Sequence, residues 1–378
     1  MRKLRLATVF SGIGAVEFAL KRMNVEHEII FACDNGERDD LTIDYENEYI
    51  NICNLDGPNA KQKYLDDLYK KTTKKSNFVE KSYLANYDCS SDKFYQDIKL
   101  LDGRDFCDKV DLLVGGSPCQ SFSSVGSQGG LNDARGTLFY EFARLIKEIK
   151  PKVFIYENVR NLINHDKGNT WTVIKSIFDS LGYNIDFKVL NAVDFGIPQK
   201  RNRLFVVGYQ KEFGLFPNIP LEDASKKNKY VMQDFLLSRT GFGEFSFDKS
   251  SGELVLTHDN PEQIDDYYFL SDAVKKYVMK DGTKNWHQKV EIDLPIARTL
   301  LKTMGNCHRA GVDNYVTENK RIRMLTEREA LRLMGYTDDY KIVVSKAQAY
   351  KQAGNSIVVD VMMSVLSSIF ESKIFNEE

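Results

Sequence analysis

Val110-Asp111-Leu112-Leu113-Val114-Gly115-Gly116-Ser117-Pro118-Cys119-Gln120 is the stretch that decides the fold. Its first half is a short apolar run of strand length. Two glycines then end the run in a turn, and Pro118 restrains the backbone just before a cysteine. A buried strand ending in such a turn is a unit of an open α/β sheet, where ligands bind beyond the carboxyl ends of the strands. A thiol on that turn is placed to attack a bound group.

Working outward, similar units recur. Leu4-Arg5-Leu6-Ala7-Thr8-Val9-Phe10 reads as a strand, runs into Ser11-Gly12-Ile13-Gly14-Ala15, and is followed by helical spacing over 16–23. Strand, glycine turn and helix open either a nucleotide-binding unit or an ordinary βα connection. A second strand over 28–32 ends near Asp34, the distance at which an acidic group meets a ribose. Further strands are expected over 110–114, 152–156 (ending at Glu157-Asn158) and 203–207. Helical periodicity fills 138–150 and 171–181. Strands alternating with helices imply a largely parallel, doubly wound sheet.

Elsewhere the texture differs. Residues 39–96 are polar, lysine-rich and without strong strand signal, and are expected to be an insertion with some helix; their lysine run reads as a solvated helix face. Residues 211–320 carry short irregular apolar runs and predict a loop-rich second domain. Regular helix resumes at Thr326, and a last helix from about Ser356 lines up Ile357, Val361, Val365, Leu366 and Ile369. That apolar face must return to the first domain. The expected organisation is a catalytic domain over 1–210, a smaller domain over 211–335 and a returning segment over 336–378.

At 378 residues the chain exceeds one ordinary core. Its net charge of −2 leaves nucleic-acid binding to local basic patches. No apolar run approaches the ~20 residues of a membrane span, and no signal peptide is evident, so a cytoplasmic protein is expected. Cysteines stand at 33, 53, 89, 107, 119 and 307, without C-x-x-C pairing or zinc spacing. Free thiols and no metal follow, and only Cys119 has a setting that suggests chemistry.

Gly12-Ile13-Gly14, Cys119 and Glu157 all fall at strand ends. A parallel sheet gathers such ends on one edge, so a thiol and a carboxylate would face a nucleotide site. The chain here resembles the bacterial-type DNA (cytosine-5)-methyltransferase family. The resemblance rests on Phe10-Ser11-Gly12-Ile13-Gly14, Pro118-Cys119-Gln120-Ser121-Phe122-Ser123, Arg135-Gly136-Thr137-Leu138-Phe139, Glu157-Asn158-Val159, Gln199-Lys200-Arg201-Asn202-Arg203, Arg323-Met324-Leu325-Thr326-Glu327-Arg328-Glu329 and Gln352-Ala353-Gly354-Asn355-Ser356, in the family's order.

The resemblance implies a Rossmann-like methyltransferase sheet with a smaller target-recognition domain, S-adenosylmethionine as methyl donor and double-stranded DNA as substrate. Cys119 would add to C6 of a cytosine rotated out of the helix. Glu157 would hydrogen-bond its N3 and 4-amino group, and Arg203 and Arg201 would hold O2. Phe10, Gly12, Ile13, Gly14, Pro118, Leu138 and Asn355 would line the donor site, with Asp34 on the ribose, Asn35 beside it, and Asp97 and Ile98 around the adenine. Where the family often has Glu and an aromatic residue, Asp34 and Asn35 stand here; Asn35 cannot stack on the adenine. DNA contacts are implied at Ser123, Gln199, Arg298 and Thr299, with Lys302, Asn306, His308, Arg309 and Asn314 as further candidate base readers. The segment 120–136 reads as a loop able to close over the flipped base. The enzyme is expected to act as a monomer, in company with a cognate restriction endonuclease or alone.

Competing readings are an RNA cytosine-5 methyltransferase, a catalytically silent DNA-binding relative and a nicotinamide-dependent oxidoreductase. The RNA-acting relatives carry a Cys-Phe-Thr tripeptide that this chain lacks. A silent relative would have lost Cys119, Glu157 or Arg203, and an oxidoreductase leaves Pro118-Cys119-Gln120 without a role.

Overall fold

The computed structural model describes residues 2–38, 42–117, 138–237, 244–257, 263–283, 286–287 and 289–376. In chain order the first part comprises β1 (Leu4–Val9), α1 (Ala15–Arg22), β2 (His27–Cys33), α2 (Tyr45–Cys53), α3 (Pro58–Thr72), α4 (Phe78–Asn86), β3 (Phe94–Tyr95), β4 (Leu112–Gly115), α5 (Leu138–Ile149), β5 (Val153–Val159), α6 (Asn169–Ser180), β6 (Tyr183–Asn191) and β7 (Asn202–Gln210). These strands form one seven-stranded sheet in the order β3-β2-β1-β4-β5-β7-β6.

Successive residues of the central strands face opposite cores. Leu112, Val114, Val153 and Ile155 join α1 on one face. Leu113, Phe154 and Tyr156 join α5 and α6 on the other. Both faces are covered, which accounts for the near-continuous apolar strands.

β7 runs antiparallel to both β5 and β6. The reason is the connection: only residues 192–201 join β6 to β7, without the helix a parallel crossover needs. The sequence reading missed β6, although Tyr183, Ile185, Phe187 and Val189 alternate at strand period.

Residues 42–96 depart from the expected insertion. Leu65 and Tyr69 of α3 are part of the core on the α5 side, and Phe94-Tyr95 pair with Ala32-Cys33 as the edge strand β3. This segment completes the helical layer and the sheet. Its strand is two residues long, too short to leave a periodic signal.

Beyond β7 come three small antiparallel pairs: β8 (Glu244–Phe247) with β9 (Leu254–Thr257), β10 (Gly282–Thr283) with β11 (Trp286–His287), and β12 (Tyr315–Glu318) with β13 (Arg321–Met324). Between them lies α7 (Asp272–Val278); α8 (Glu327–Arg332), α9 (Lys346–Asn355) and α10 (Val359–Glu371) follow. Ile219, Phe235, Phe245, Leu300 and Val316 extend the core on the α1 side of the large sheet. A separate small core holds Leu237, Ile264, Tyr268, Val278, Ala310, Tyr315 and Met324.

The span Lys346–Glu371 is long and apolar enough to pass for a membrane helix by composition, a feature the sequence reading did not register. In the fold it is two helices broken at 356–358, and Val361, Val365, Leu366 and Ile369 of α10 are buried with α1 in the core on that side of the large sheet.

Candidate active site

The site grows from the end of β1. Phe10, Gly12 and Gly14 have φ of 53°, 54° and 76°, so the chain reverses tightly before α1. A side chain at Gly14 would also collide with the Tyr87 ring, 2.1 Å from where a Cβ would stand. Tyr87 holds the turn from outside: its hydroxyl donates to the carbonyls of Ile13 and Gly14 at 2.9 and 2.7 Å. The turn is also tied to the end of β2. Asp34 accepts from the Gly12 amide at 2.9 Å and the Gly36 amide at 2.8 Å. Burial pushes the Asp34 carboxyl above its ordinary range, and these two amides oppose the shift.

A cleft opens above this turn, with Phe10, Gly12, Ile13, Gly116, Glu157 and Asn355 among its lining residues. Glycines and apolar side chains let a ligand approach the backbone here, and Glu157 supplies a carboxyl at one end. These residues fit a nucleoside-bearing donor. Gly14, Asp34, Asn35, Asp97, Ile98 and Leu138 stand outside the lining. Asn35 accepts from the Glu37 amide at 2.9 Å. Asp97 is buried; its carboxylate accepts from the Tyr69 hydroxyl at 2.5 Å and the Lys99 amide at 2.9 Å. Ile98 is buried beside it, its carbonyl accepting from Arg144 at 2.8 Å. The carboxylate expected near the adenine therefore anchors a turn. Leu138 begins α5.

Glu157 lies within β5, paired with Phe205, and Val159 pairs with Arg203. Because β7 is antiparallel, its first residues share the edge where β5 ends. Arg203 Nε consequently stands 3.2 Å from Glu157 Oε1. Burial raises the Glu157 pKa; Arg203, then Arg201, pull it down. Gly116 must be glycine, since a Cβ would lie 2.8 Å from the Glu157 carbonyl oxygen and 3.1 Å from Oε2. Next to it, Asn158 Nδ2 donates to the Ser117 carbonyl at 2.8 Å and the Tyr156 hydroxyl at 2.7 Å. Pro118, Cys119 and Ser123 lie outside the described residues, as does the expected closing loop.

Four expected contacts prove to be internal ties. Arg201 is buried, and its guanidinium donates to the carbonyls of Leu300 (3.1 Å), Gly354 (2.8 Å) and Ser356 (2.7 Å). Burial and Arg203 lower its pKa, and Glu157 opposes them. Gln199 is 0% exposed. Its amide donates to Leu333 O at 2.8 Å and accepts from the Leu300 amide at 3.0 Å, so it cannot reach DNA. Thr299 donates its hydroxyl to Lys200 O. Arg298 is held against Glu291 at 3.3 Å. Two of the further readers are likewise engaged: Asn314 bridges the Arg298 backbone, and His308 faces Asp313 at 2.9 Å.

Sequence reasoning missed three supports of the cleft. Tyr87 grips a turn more than 70 positions away and leaves no local signal. Asn158 stands beside Glu157 in the quoted motif, but its Ser117 partner follows the neighbouring strand β4, 41 positions away. Glu37 joins Asn355 (3.1 Å), Lys302 (3.3 Å) and Lys351 (2.7 Å) at the cleft's rim.

Comparison with known proteins fits this geometry. A family model described as C-5 cytosine-specific DNA methylase matches residues 69–371. The chain is 34% identical over 303 residues to Type II methyltransferase M.SsoII of Shigella sonnei, covering 78% of this chain and 72% of that protein. It is 37% identical over 262 residues to Type II methyltransferase M.HhaI of Haemophilus parahaemolyticus, covering 69% and 76%. The crystal structure of the S. pombe Dnmt2 methyltransferase has a TM-score of 0.64 at 18% identity, over 97% and 98% of the two chains. The Entamoeba histolytica methyltransferase EhMeth has a TM-score of 0.65 at 16% identity, over the full length of both. These last two similarities concern the fold alone.

Proposed function

The chain belongs to the C-5 cytosine-specific DNA methylase family, and on that premise we propose that it moves a methyl group from S-adenosylmethionine to C5 of one cytosine in a short, specific double-stranded DNA sequence, with Cys119 as the nucleophile. The observation that carries this reading is the Glu157–Arg203 pair at the cleft shared with the glycine turn, one strand from the turn that leads into Pro118-Cys119.

Cytosine C5 is a poor nucleophile. A thiolate bonding to C6 turns the ring into an enamine whose C5 can accept carbon. Negative charge then gathers on the ring. Glu157, whose pKa burial raises, shares a proton with N3 as that happens and takes it back when the adduct breaks down. Arg203 holds Glu157 in place and offers its remaining N–H groups to O2. The donor, when bound, supplies an electrophilic methyl group. The C5 proton then leaves to a base, the Cys119–C6 bond breaks, and the thiolate is restored. Phe10, Gly12, Ile13 and Asn355 would hold the donor, with Asp34 behind the glycine turn.

The target atom is inaccessible inside a duplex, so the cytosine must leave the stack. Residues 211–335 would read the flanking sequence. The enzyme would act in company with a restriction endonuclease sharing that sequence, without direct contact, or alone.

Expression in a host without cytosine methylation, followed by bisulfite sequencing, tests the reading and yields the target. Methylated cytosines should appear in one sequence context. Cys119→Ser should remove them while the variant still binds DNA. Normal methylation by that variant would exclude the mechanism.

A further inference from the structure

β5 presents two faces at the active site. Glu157 turns to the cleft. Its neighbours Tyr156 and Asn158 are both buried and, among the described residues, hydrogen-bond with Ser117. Asn158 uses both amide protons, one on the Ser117 carbonyl at 2.8 Å and one on the Tyr156 oxygen at 2.7 Å. Its own carbonyl oxygen accepts from the Val159 amide at 2.8 Å. The Tyr156 oxygen accepts from Asn158 and shares a second hydrogen bond with Ser117 Oγ, 2.7 Å away, in which either hydroxyl can donate. The Tyr156 ring is clamped by Phe139, Phe142 and Phe178. Both polar ends of Ser117 are fixed against a strand that cannot move independently of the sheet. Ser117 is two residues before Cys119.

We propose that Tyr156, acting through Ser117, is a positioning residue that sets the approach of the Cys119 thiolate to the target carbon. The inference rests on the nucleophilic reading of Cys119. Its physical basis is the steep dependence of rate on alignment: a misplacement of about 1 Å can cost roughly a hundredfold. Glu157 holds the base and Tyr156 holds the approach of the attacking atom, and both hang on one strand. Register between electrophile and nucleophile is then set by adjacent residues of a single rigid element.

The test uses the full-length protein, S-adenosylmethionine and a duplex with 5-fluorocytosine at the mapped target. Addition of Sγ to C6 and methyl transfer to C5 proceed, but C5 then carries no proton to remove, so the Sγ–C6 bond persists. The rate of this covalent adduct is followed in single turnover, beside DNA affinity, donor affinity and melting temperature. Tyr156→Phe keeps the ring and removes only the hydroxyl. It should slow adduct formation by about ten- to a hundredfold with both affinities held within about twofold. Ser117→Ala should slow it similarly, and the double variant should be no slower than the slower single one, because both remove the same link. If Tyr156→Phe does not fold, Ser117→Ala is judged on the same readouts.

Adduct formation at the wild-type rate in these variants would overturn the positioning role. So would a loss explained by weaker DNA or donor binding. Absence of an adduct with the wild-type protein, under conditions where it methylates ordinary cytosine, would instead remove the reading of Cys119 and this inference with it.

Discussion

At the scale of single residues, Glu17 shows how much of a site's chemistry can sit behind it. It is 1% exposed in the first turn of α1. One carboxyl oxygen accepts from the Tyr83 hydroxyl at 2.6 Å and the Thr8 hydroxyl at 3.0 Å. The other has no hydrogen-bond partner among the described residues. Burial raises its pKa, against smaller opposing effects from Tyr83, the helix backbone, Thr8 and His27. A carboxyl raised on folding stabilises the protein fully below its unfolded pKa. That contribution is lost as pH climbs through the folded value. Glu17→Gln, which keeps an acceptor for Tyr83 and Thr8 but cannot ionise, should therefore raise the melting temperature at pH 8. The gain should shrink as pH falls towards the ordinary glutamate range. Thermal unfolding across pH 4–8 checks the sign. The same effect of burial acts on Glu157, where Arg203 and Arg201 oppose it.

At the scale of elements, local signals and tertiary demands coincide best in the last third of the chain. The helix expected to resume at Thr326 opens on a capping box, Thr326-Glu327-Arg328-Glu329. α8 begins as that pattern requires, with Thr326 accepting from the Glu329 amide and Glu329 reaching back to Thr326. Its second duty is not legible: the Glu329 carboxylate also pairs with buried Arg323 at 2.8 Å. The apolar face of α10 was readable as a stripe, but its ionic anchor was not. Asp360 grips Arg22 of α1 through two hydrogen bonds of 2.9 and 3.0 Å, with both side chains buried. Arg22 also donates to the carbonyls of Gly252 and Gly335. Removing one partner of such a pair leaves a charge buried without its counterion. Asp360→Ala should lower stability by about 3–5 kcal/mol, measured by urea unfolding.

At the scale of the whole molecule, residues 211–335 are joined to the sheet domain by a definite seam. The seam is a backbone pairing: Lys200 N–H donates to Ala297 O, and Ala297 N–H donates to Pro198 O, both at 2.8 Å. Gln199 lies between them and reaches Leu300 and Leu333. Arg201 extends the tie to Gly354 and Ser356 beside the donor cleft. Gln199→Ala would leave buried backbone groups unpaired at about 1–3 kcal/mol each. The variant should melt lower and show a raised KM for DNA, while donor affinity, read by calorimetry, stays near wild type. Equal loss of both affinities would mean that the seam serves general stability alone.

The sequence by itself determined that the chain would build a doubly wound sheet with a glycine turn after its first strand and Glu157-Asn158 towards the end of another. Each of these is written in neighbouring residues, as apolar periodicity broken by glycine or proline. Only the tertiary structure decided which groups meet. Arg203 reaches Glu157 because a ten-residue connection forces β7 to run antiparallel. Gln199 and Arg201, which resemble DNA contacts when read as a motif, are buried because their partners come from segments about 100 or more positions away. Hydrogen-bond partners across such separations leave no periodic trace, since they depend on where the folded backbone returns and not on the residues beside them.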